Sequence, residues 1–342
     1  AQAGLALTTG GRNTVNGFGA LGADTLGSRA VAIGFGALDA QNFTTATDNY
    51  NVAVGYDAGG AVTTGDSNTL IGGLTGDALT TGSDNTAVGT AALSTDTLGS
   101  ASVAIGKNAL ISQNFTTATT AYNVAVGRSA GAAVTTGVQN TLIGGLAGDA
   151  QTAASNNTAL GYASLSTETN GSRNVAIGVL ALETQNTSGG GNIYNTAVGA
   201  LAGQSITTGV QNTLIGGEAG DALTDADFNT ALGAFALSAD TLGSRSVAIG
   251  YAALDAQNFT TATDAFNTAV GFEAGGAVTT GQFNTLVGAI AGDALNTGTR
   301  NVVVGYNALT SDTKGSKSVA IGLGTLQDQN FTTATDTHNT AV

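Results

Sequence analysis

Three sets of residues in this sequence have types and spacings that could support chemistry. Gly17-Phe18-Gly19-Ala20-Leu21-Gly22 matches the glycine pattern of dinucleotide-binding sites, which needs a strand before it and a helix after it. Aspartates in a Gly-Asp-Ala setting bear a faint likeness to calcium-binding repeats, and His338 is the only histidine. The aspartates are Asp77, Asp149, Asp221 and Asp293.

The repeat that surrounds these residues argues against each kind of chemistry. It leaves no room for a helix after Gly22, so we expect no nucleotide cofactor. The four aspartates lie four coils apart, about 19 Å at strand spacing, so no two of them could share an ion. We expect solvated turn residues, with a weak calcium site built on local carbonyls as the alternative. His338 fills a column otherwise occupied by Tyr50, Tyr122, Tyr194 and Phe266, and we expect it to stack.

Composition and repetition also exclude several classes of function. The chain has 23 acidic and nine basic residues, a net charge of −14, which opposes binding to nucleic acid or anionic lipid. There is no cysteine for thiolate chemistry and no apolar run long enough to cross a membrane. Catalysis needs one asymmetric set of groups, whereas repetition supplies many equivalent ones, so we predict that the chain is not an enzyme.

A regular repeat sets the elements that position these residues. Thr or Val, then Ala or Leu, an aliphatic residue and Gly recur throughout, and successive Gly residues are 17, 21, 17 and 17 positions apart. The resulting super-repeat is 72 residues long, as from Gly34 to Gly106. Such an uninterrupted register is typical of a stacked solenoid. We predict one continuous domain over residues 1–342, with super-repeats at 34–105, 106–177, 178–249 and 250–321 and partial copies at both ends.

Each coil should consist of short strands and tight turns. The segment from Ser102 to Ile105 is β-branched and apolar over only three or four positions before Gly106. Thr63-Thr64-Gly65 indicates a turn in which Gly supplies a positive φ. The sequence therefore predicts an all-β protein, a parallel β-solenoid (β-roll) of about 18 coils. Asn begins most strands and should form hydrogen-bonded ladders that hold the register.

Both faces of each strand are apolar, which predicts a second surface to cover one of them. Val103 and Ile105 share one face and Ala104 lies on the other, since side chains alternate along a strand. Because Ala is small, we expect the Ala column to lie close to a neighbouring chain. This predicts a homo-oligomer, a trimer in preference to a dimer or a single stout solenoid. A second apolar line follows the Gly, with Leu38 in some coils and Gly59 with Val62 in others.

The repeats resemble two families of surface proteins. Ser246-Val247-Ala248-Ile249-Gly250 is similar to the repeat in the heads of trimeric autotransporter adhesins, and Asn195 to Gly199 is more similar to repeats of phage-type tail fibres. The resemblance covers essentially the whole chain. It implies parallel β-rolls, three chains to a head, and attachment to surfaces. The adhesin repeat is shorter than 17 residues, and the handedness of the solenoid stays open.

The 21-residue coils carry the sharpest candidates for a functional surface. Their extra segment reads Asn-Phe-Thr-Thr-Ala-Thr in four copies, with a Gly-rich variant after Asn186. Exposed rings would suit contact with glycan or a neighbouring fibre, and the alternative is that each ring caps its own coil. The Asn residues also fit the N-x-S/T acceptor pattern for glycosylation. The rings are Phe43, Phe115, Phe259 and Phe331, and the acceptors are Asn42, Asn114, Asn186, Asn258 and Asn330.

We therefore predict a structural or adhesive fibre shaft, a repetitive filament, tail-fibre or adhesin segment outside the cell, on a cell surface or on a virion. Because the repeat begins within a coil and stops just before an expected Gly, we expect a section of a longer fibre. One alternative is a multivalent binding module that uses the 21-residue coils against glycans or surfaces. Another is ice binding by Thr arrays. The predicted partners are further copies of the chain and cell-surface, glycan or fibre contacts, with no nucleic acid, membrane insertion, metal or cofactor.

Overall fold

The protein folds as a parallel β-solenoid, as predicted. The structure is a computed structural model, and it describes residues 2–342. No helix occurs among these residues, and none of them forms a segment that could serve as a helical membrane span. The chain divides into two compact units. The first extends to Ser172 and includes Ser188–Gly190, and the second comprises Arg173–Thr187 and Gly191–Val342.

The first unit contains nine three-residue strands, each the main strand of one coil. Within the unit, successive main strands pair in parallel, as Thr69 with Thr86 and Leu70 with Ala87. The main strands are β1 Thr14–Asn16, β3 Val31–Ile33, β5 Val52–Val54, β6 Thr69–Ile71, β7 Thr86–Val88, β9 Val103–Ile105, β11 Val124–Val126, β12 Thr141–Ile143 and β13 Thr158–Leu160. Two-residue strands lie at another side of the coil, namely β2 Gly27–Ser28, β4 Thr47–Asp48, β8 Gly99–Ser100, β10 Thr119–Thr120 and β14 Gly171–Ser172. β2 pairs with β4 and β8 pairs with β10.

The second unit repeats this organisation. Its nine three-residue strands are β15 Val175–Ile177, β17 Thr196–Val198, β18 Thr213–Ile215, β19 Thr230–Leu232, β21 Val247–Ile249, β23 Thr268–Val270, β24 Thr285–Val287, β25 Val302–Val304 and β27 Val319–Ile321, followed by the shorter β29 Thr340–Ala341. The remaining strands are β16 Gly191–Asn192, β20 Gly243–Ser244, β22 Thr263–Asp264, β26 Gly315–Ser316 and β28 Thr335–Asp336. β20 pairs with β22 and β26 with β28, also in parallel.

The side chain of the middle residue of each main strand points into the interior of the coil. Ala104 and Leu70 are fully buried, while Val103 and Ile105 point outward and stay partly exposed. The prediction that the Ala column faces a neighbouring chain is therefore wrong. Ala is small because the interior of a narrow coil must also hold the side chains of its other sides.

Leu and Gly alternate at a second interior position, and this compensation was predicted from the sequence. Leu38 is fully buried four residues after its Gly. In the next coil the position is Gly59, where an added Cβ would press on Leu38 and Leu70, and the buried Val62 supplies the aliphatic volume instead. The exchange keeps the interior volume filled along the stack, because neighbouring coils share this space.

Buried asparagines connect the coils at the start of the main strands, which confirms the predicted ladder. The Asn51 Oδ1 accepts the backbone N–H of Asn68 at 2.9 Å, and the Asn68 Oδ1 accepts that of Asn85 at 3.0 Å. The Asn68 Nδ2 donates to the carbonyl of Gly82, a turn residue of the next coil, at 2.9 Å. Most bonds of the ladder thus join an Asn side chain to the backbone of the next coil. Each amide bonds both the turn and the start of the main strand of that coil.

The Gly that ends each main strand provides the first test of the fold. At Gly216 the backbone has φ +142°, and a Cβ would clash with the carbonyl group of Gly233 in the next coil. We expect Gly216→Ala to lower the free energy of unfolding of the second unit by about 1–3 kcal/mol, the typical cost of holding a non-glycine residue in a backbone conformation that favours glycine. The measurement is the urea midpoint followed by circular dichroism.

The neighbouring Gly217 offers a matched control. A Cβ at Gly217 would meet no atom within 4 Å, and its φ lies outside the left-handed region. Gly217→Ala should leave the midpoint unchanged or raise it slightly, since Ala reduces the entropy of the unfolded chain. Equal effects of the two substitutions would contradict the assigned register.

Candidate functional site

The outward side chains of the main strands form an uncharged surface, here called the outer face. Each strand contributes two side chains to it, Thr or Val first and then Ile, Val or Leu, with Asn16 as the exception. None of these positions is buried in either unit. Several of the larger side chains are well exposed, as are Leu160 at 43% and Leu232 at 44%. The outer face is thus a two-column strip of uncharged side chains in each unit, with Thr or Val in one column and mostly aliphatic residues in the other.

Aromatic side chains stack beside the outer face, in the position just after the strand-ending Gly. In the first unit Phe18, Phe35 and Tyr56 form a continuous stack with ring centroids 5.5 Å apart. In the second unit Tyr251 stacks on Phe272 at 5.4 Å. All five rings are exposed by about half, and they extend the apolar surface on that side.

A second ladder in the second unit occupies the residue just before the buried Asn column. Phe266 stacks on Phe283 at 5.6 Å, and the guanidinium groups of Arg245 and Arg300 cover rings in the same column. Arg245 also pairs with the exposed Asp264 at 2.9 Å. His338 lies in this column and is exposed, and its stacking stays a prediction.

The insertion coils turn their aromatic residues inward. Phe43, Phe115 and Phe259 are only 7%, 6% and 4% exposed, and Phe331 is half-buried. The prediction of exposed contact rings is wrong for Phe43, Phe115 and Phe259, whose rings are buried as the alternative expected. The physical reason is that burying a Phe side chain is favourable by about 1.5–3 kcal/mol relative to leaving it exposed to water.

A buried aspartate of the preceding coil anchors each Phe, and sequence reasoning missed this residue. The Asp240 Oδ1 accepts the backbone N–H groups of Gly243 and Phe259, both at 3.0 Å. Its Oδ2 accepts the Nε2 of Gln257 at 2.6 Å, and the Gln257 Oε1 accepts the Nδ2 of Asn267 at 2.8 Å. Burial raises the pKa of Asp240, although these hydrogen bonds oppose the shift.

The same buried network recurs through the chain. Asp24 with Gln41, Asp96 with Gln113, and Asp312 with Gln329 make the equivalent 2.6 Å contact, and Glu168 occupies the position in the third copy. A signal was available in the sequence, because an acid stands 17 residues before a Gln only where a 21-residue coil follows. The network couples each insertion coil to the coil before it.

The candidate calcium aspartates lie half-buried at a coil corner. The Oδ1 of Asp77, Asp149, Asp221 and Asp293 makes no hydrogen bond among residues 2–342. Burial raises the pKa of Asp293, and the nearby Glu273 carboxylate raises it further. Asp293, Glu273 and Asp255 line an open depression of about 240 Å³. Even so, no group of three or more His, Cys, Asp or Glu side chains in the described chain is placed to hold a metal ion.

The remaining candidates have plain positions in the coils. The glycine pattern from Gly17 to Gly22 follows β1 and turns the corner of a coil, with Ala20 and Leu21 in the interior. No helix follows it in the described residues, so its backbone lacks the helix end that would bind a phosphate. The five acceptor asparagines of the insertion coils are all exposed.

A scan against protein-family models found no match to the chain, and a search of curated proteins found no significant similarity. The resemblance to trimeric adhesin heads and phage-type tail fibres stays a prediction.

The buried network predicts that Asp240→Asn is destabilising. The new Nδ2 would face the Gln257 Nε2, which places two donors together in a buried site. Rotating the Gln257 amide would only move the conflict to Asn267. We expect a loss of roughly 2–3 kcal/mol, the cost of a buried group without a partner, measured as a lower urea midpoint. Asp84→Asn, at an exposed position, is the control and should have little effect; an equal loss in both variants would count against the network.

Asp293 predicts a stability effect that depends on pH. Because its folded pKa is raised, its stabilising contribution is complete below the unfolded value of 3.8 and is lost as the pH rises through the folded value. Asp293→Asn should therefore raise the urea midpoint at pH 7 and lose this advantage near pH 3.5. A gain of equal size at both pH values would contradict the assignment.

Proposed function

We propose that this chain is a subunit of a structural fibre that assembles with further copies of itself through the outer face. The observation that supports the proposal most directly is a strip of Thr, Val, Ile and Leu that carries no charge. The net charge of −14 lies on residues outside this strip. Two copies can approach through this strip without placing like charges opposite each other.

The size of the outer face suits association. Nine strands at a spacing of about 4.8 Å give a strip about 40 Å long, and two side-chain columns make it about 12 Å wide. Each unit thus offers on the order of 500 Å² per copy, or about 1,000 Å² in total for a contact between two copies, the lower size of a specific interface. The exposed aromatic stacks would add to this area.

We favour a homotrimer as the assembly. Three narrow strips can close around a common axis, so that the columns on either side of each strip contact different neighbours. The fibre would lie outside the cell, on a cell surface or a virion, and the proposal assigns no catalysis to the chain. Adhesion through the insertion coils is less well supported, because three of the four Phe rings proposed as contacts are inside the coils.

The test compares the oligomeric state of the protein with that of a face variant. Sedimentation velocity should give three times the 33.1 kDa mass of the chain. Replacing Ile215 and Leu232 by Glu would bury like charges in the interface and should give monomers with unchanged circular dichroism. Thr261→Glu adds charge to an exposed position of an insertion coil and should leave the oligomer intact.

A monomer at every concentration would overturn the proposal. If such a monomer also lowered the freezing point of its solution without an equal change in melting point, ice binding by the regular Thr and Val array would replace it. A stable dimer would retain assembly through the outer face and reject the trimer.

A further inference from the structure

Four insertion coils display an Asn-Phe-Thr segment in one and the same way. Asn42 and Thr44 are exposed, while the Phe43 ring between them is buried. The same alternation holds at Asn114 and Asn258, and Asn330 with Thr332 is exposed next to a half-buried Phe. The Asn and Thr side chains of the N-x-T pattern are thus exposed to solvent. The buried Phe ring between them holds the segment against the coil.

Hydrogen bonds leave the reactive atom of each asparagine free. The Asn258 Oδ1 accepts the hydroxyl of Thr241 from the preceding coil at 3.1 Å, and its backbone N–H donates to the carbonyl of Thr279 at 2.9 Å. Its Nδ2 makes no hydrogen bond within the described chain. Asn42, Asn114 and Asn330 accept from Thr25, Thr97 and Thr313 in the same way.

Two of the three remaining matches to the pattern lack this presentation and serve as internal references. In Asn156-Asn157-Thr158 the Asn156 side chain is exposed, but Thr158 is partly buried and belongs to β13, where it pairs with Thr141. In Asn170-Gly171-Ser172 the Asn170 Nδ2 donates to the carbonyl of Ser188, and the Ser172 Oγ accepts the backbone N–H of Ser155. The first segment is thus fixed by strand pairing and the second by side-chain hydrogen bonds to neighbouring coils.

We propose that Asn42, Asn114, Asn258 and Asn330 are acceptor sites for N-linked oligosaccharides on the folded chain. The donor class is an oligosaccharide joined to a lipid through pyrophosphate. The amide Nδ2 forms a bond to the anomeric carbon, the bond from that carbon to the pyrophosphate oxygen breaks, and the lipid pyrophosphate leaves with both bonding electrons. The amide proton passes to a base of the transferase. The product is a sugar-bearing position once in every super-repeat that keeps the Phe.

The test incubates the folded protein with a purified oligosaccharyltransferase that accepts Asn-x-Thr and with the lipid-linked oligosaccharide. Site occupancy is then read by mass spectrometry of proteolytic peptides. We expect one oligosaccharide at each of the four asparagines and none at Asn156 or Asn170. Peptides that contain Asn156 and Asn170, released by proteolysis before the reaction, should be modified, which shows that these sequences are acceptors once the coil no longer holds them.

Thr260→Val is the matched variant, because it keeps the shape of an exposed side chain and removes only the hydroxyl of the pattern. It should abolish modification at Asn258 and leave Asn42, Asn114 and Asn330 occupied. A folded protein that stays unmodified at all four sites, under conditions that modify the released peptides, would overturn the proposal. Equal occupancy of Asn156 and the loop sites in the folded protein would overturn it as well.

Discussion

The fold depends on buried asparagine side chains that must be satisfied inside an apolar interior. An unpaired amide in this environment would cost about 1–3 kcal/mol. A buried asparagine recurs in most coils, so this cost would be multiplied along the chain if the amides were not hydrogen-bonded. Each Asn68-type side chain finds its acceptor and its donor in the next coil, at distances of 2.9 and 3.0 Å. Both bonds hold only if the next coil places its backbone N–H and carbonyl at the same two positions. Extra residues must therefore lie elsewhere in the coil, as in the third 21-residue coil, where the Asn174 Oδ1 still accepts the backbone N–H of Asn195 at 3.2 Å.

The 72-residue period has an equally local cause. Where a Ser or Ala takes the place of the asparagine, as at Ser246, the interior gains room and loses an amide. Gln257 enters that room, donates to Ser246 Oγ at 3.0 Å and to Asp240, and accepts from Asn267. The carboxylate of Asp240 in the preceding coil accepts a backbone N–H of the longer coil. The two coils therefore depend on each other for their buried hydrogen bonds, and they recur as a pair in the super-repeat.

Spacing alone predicted the solenoid, the parallel register, the Asn ladder and the exchange of Leu38 for Gly59 with Val62. These features depend on which positions recur, and recurrence is visible in a sequence. Two others depended on direction. The Ala column and the Phe43 ring could each point inward or outward with the same letters. The Ala column was assigned to the wrong side, and for Phe43 both directions were left open. Asp240 was missed for a different reason, since an acidic residue in an acidic protein suggests a solvated turn unless its hydrogen-bond partners are known.

The parallel ladders described above have a mechanical consequence. Their hydrogen bonds connect one coil to the next and so run along the stacking direction within each unit. A pulling force in that direction loads the few bonds of one coil boundary at a time, as in peeling, and does not shear many bonds together. A single solenoid of this kind would be stiff in compression and weak in tension. Tensile strength in a fibre would have to come from side-by-side contact, and the uncharged outer face is the surface that could provide it.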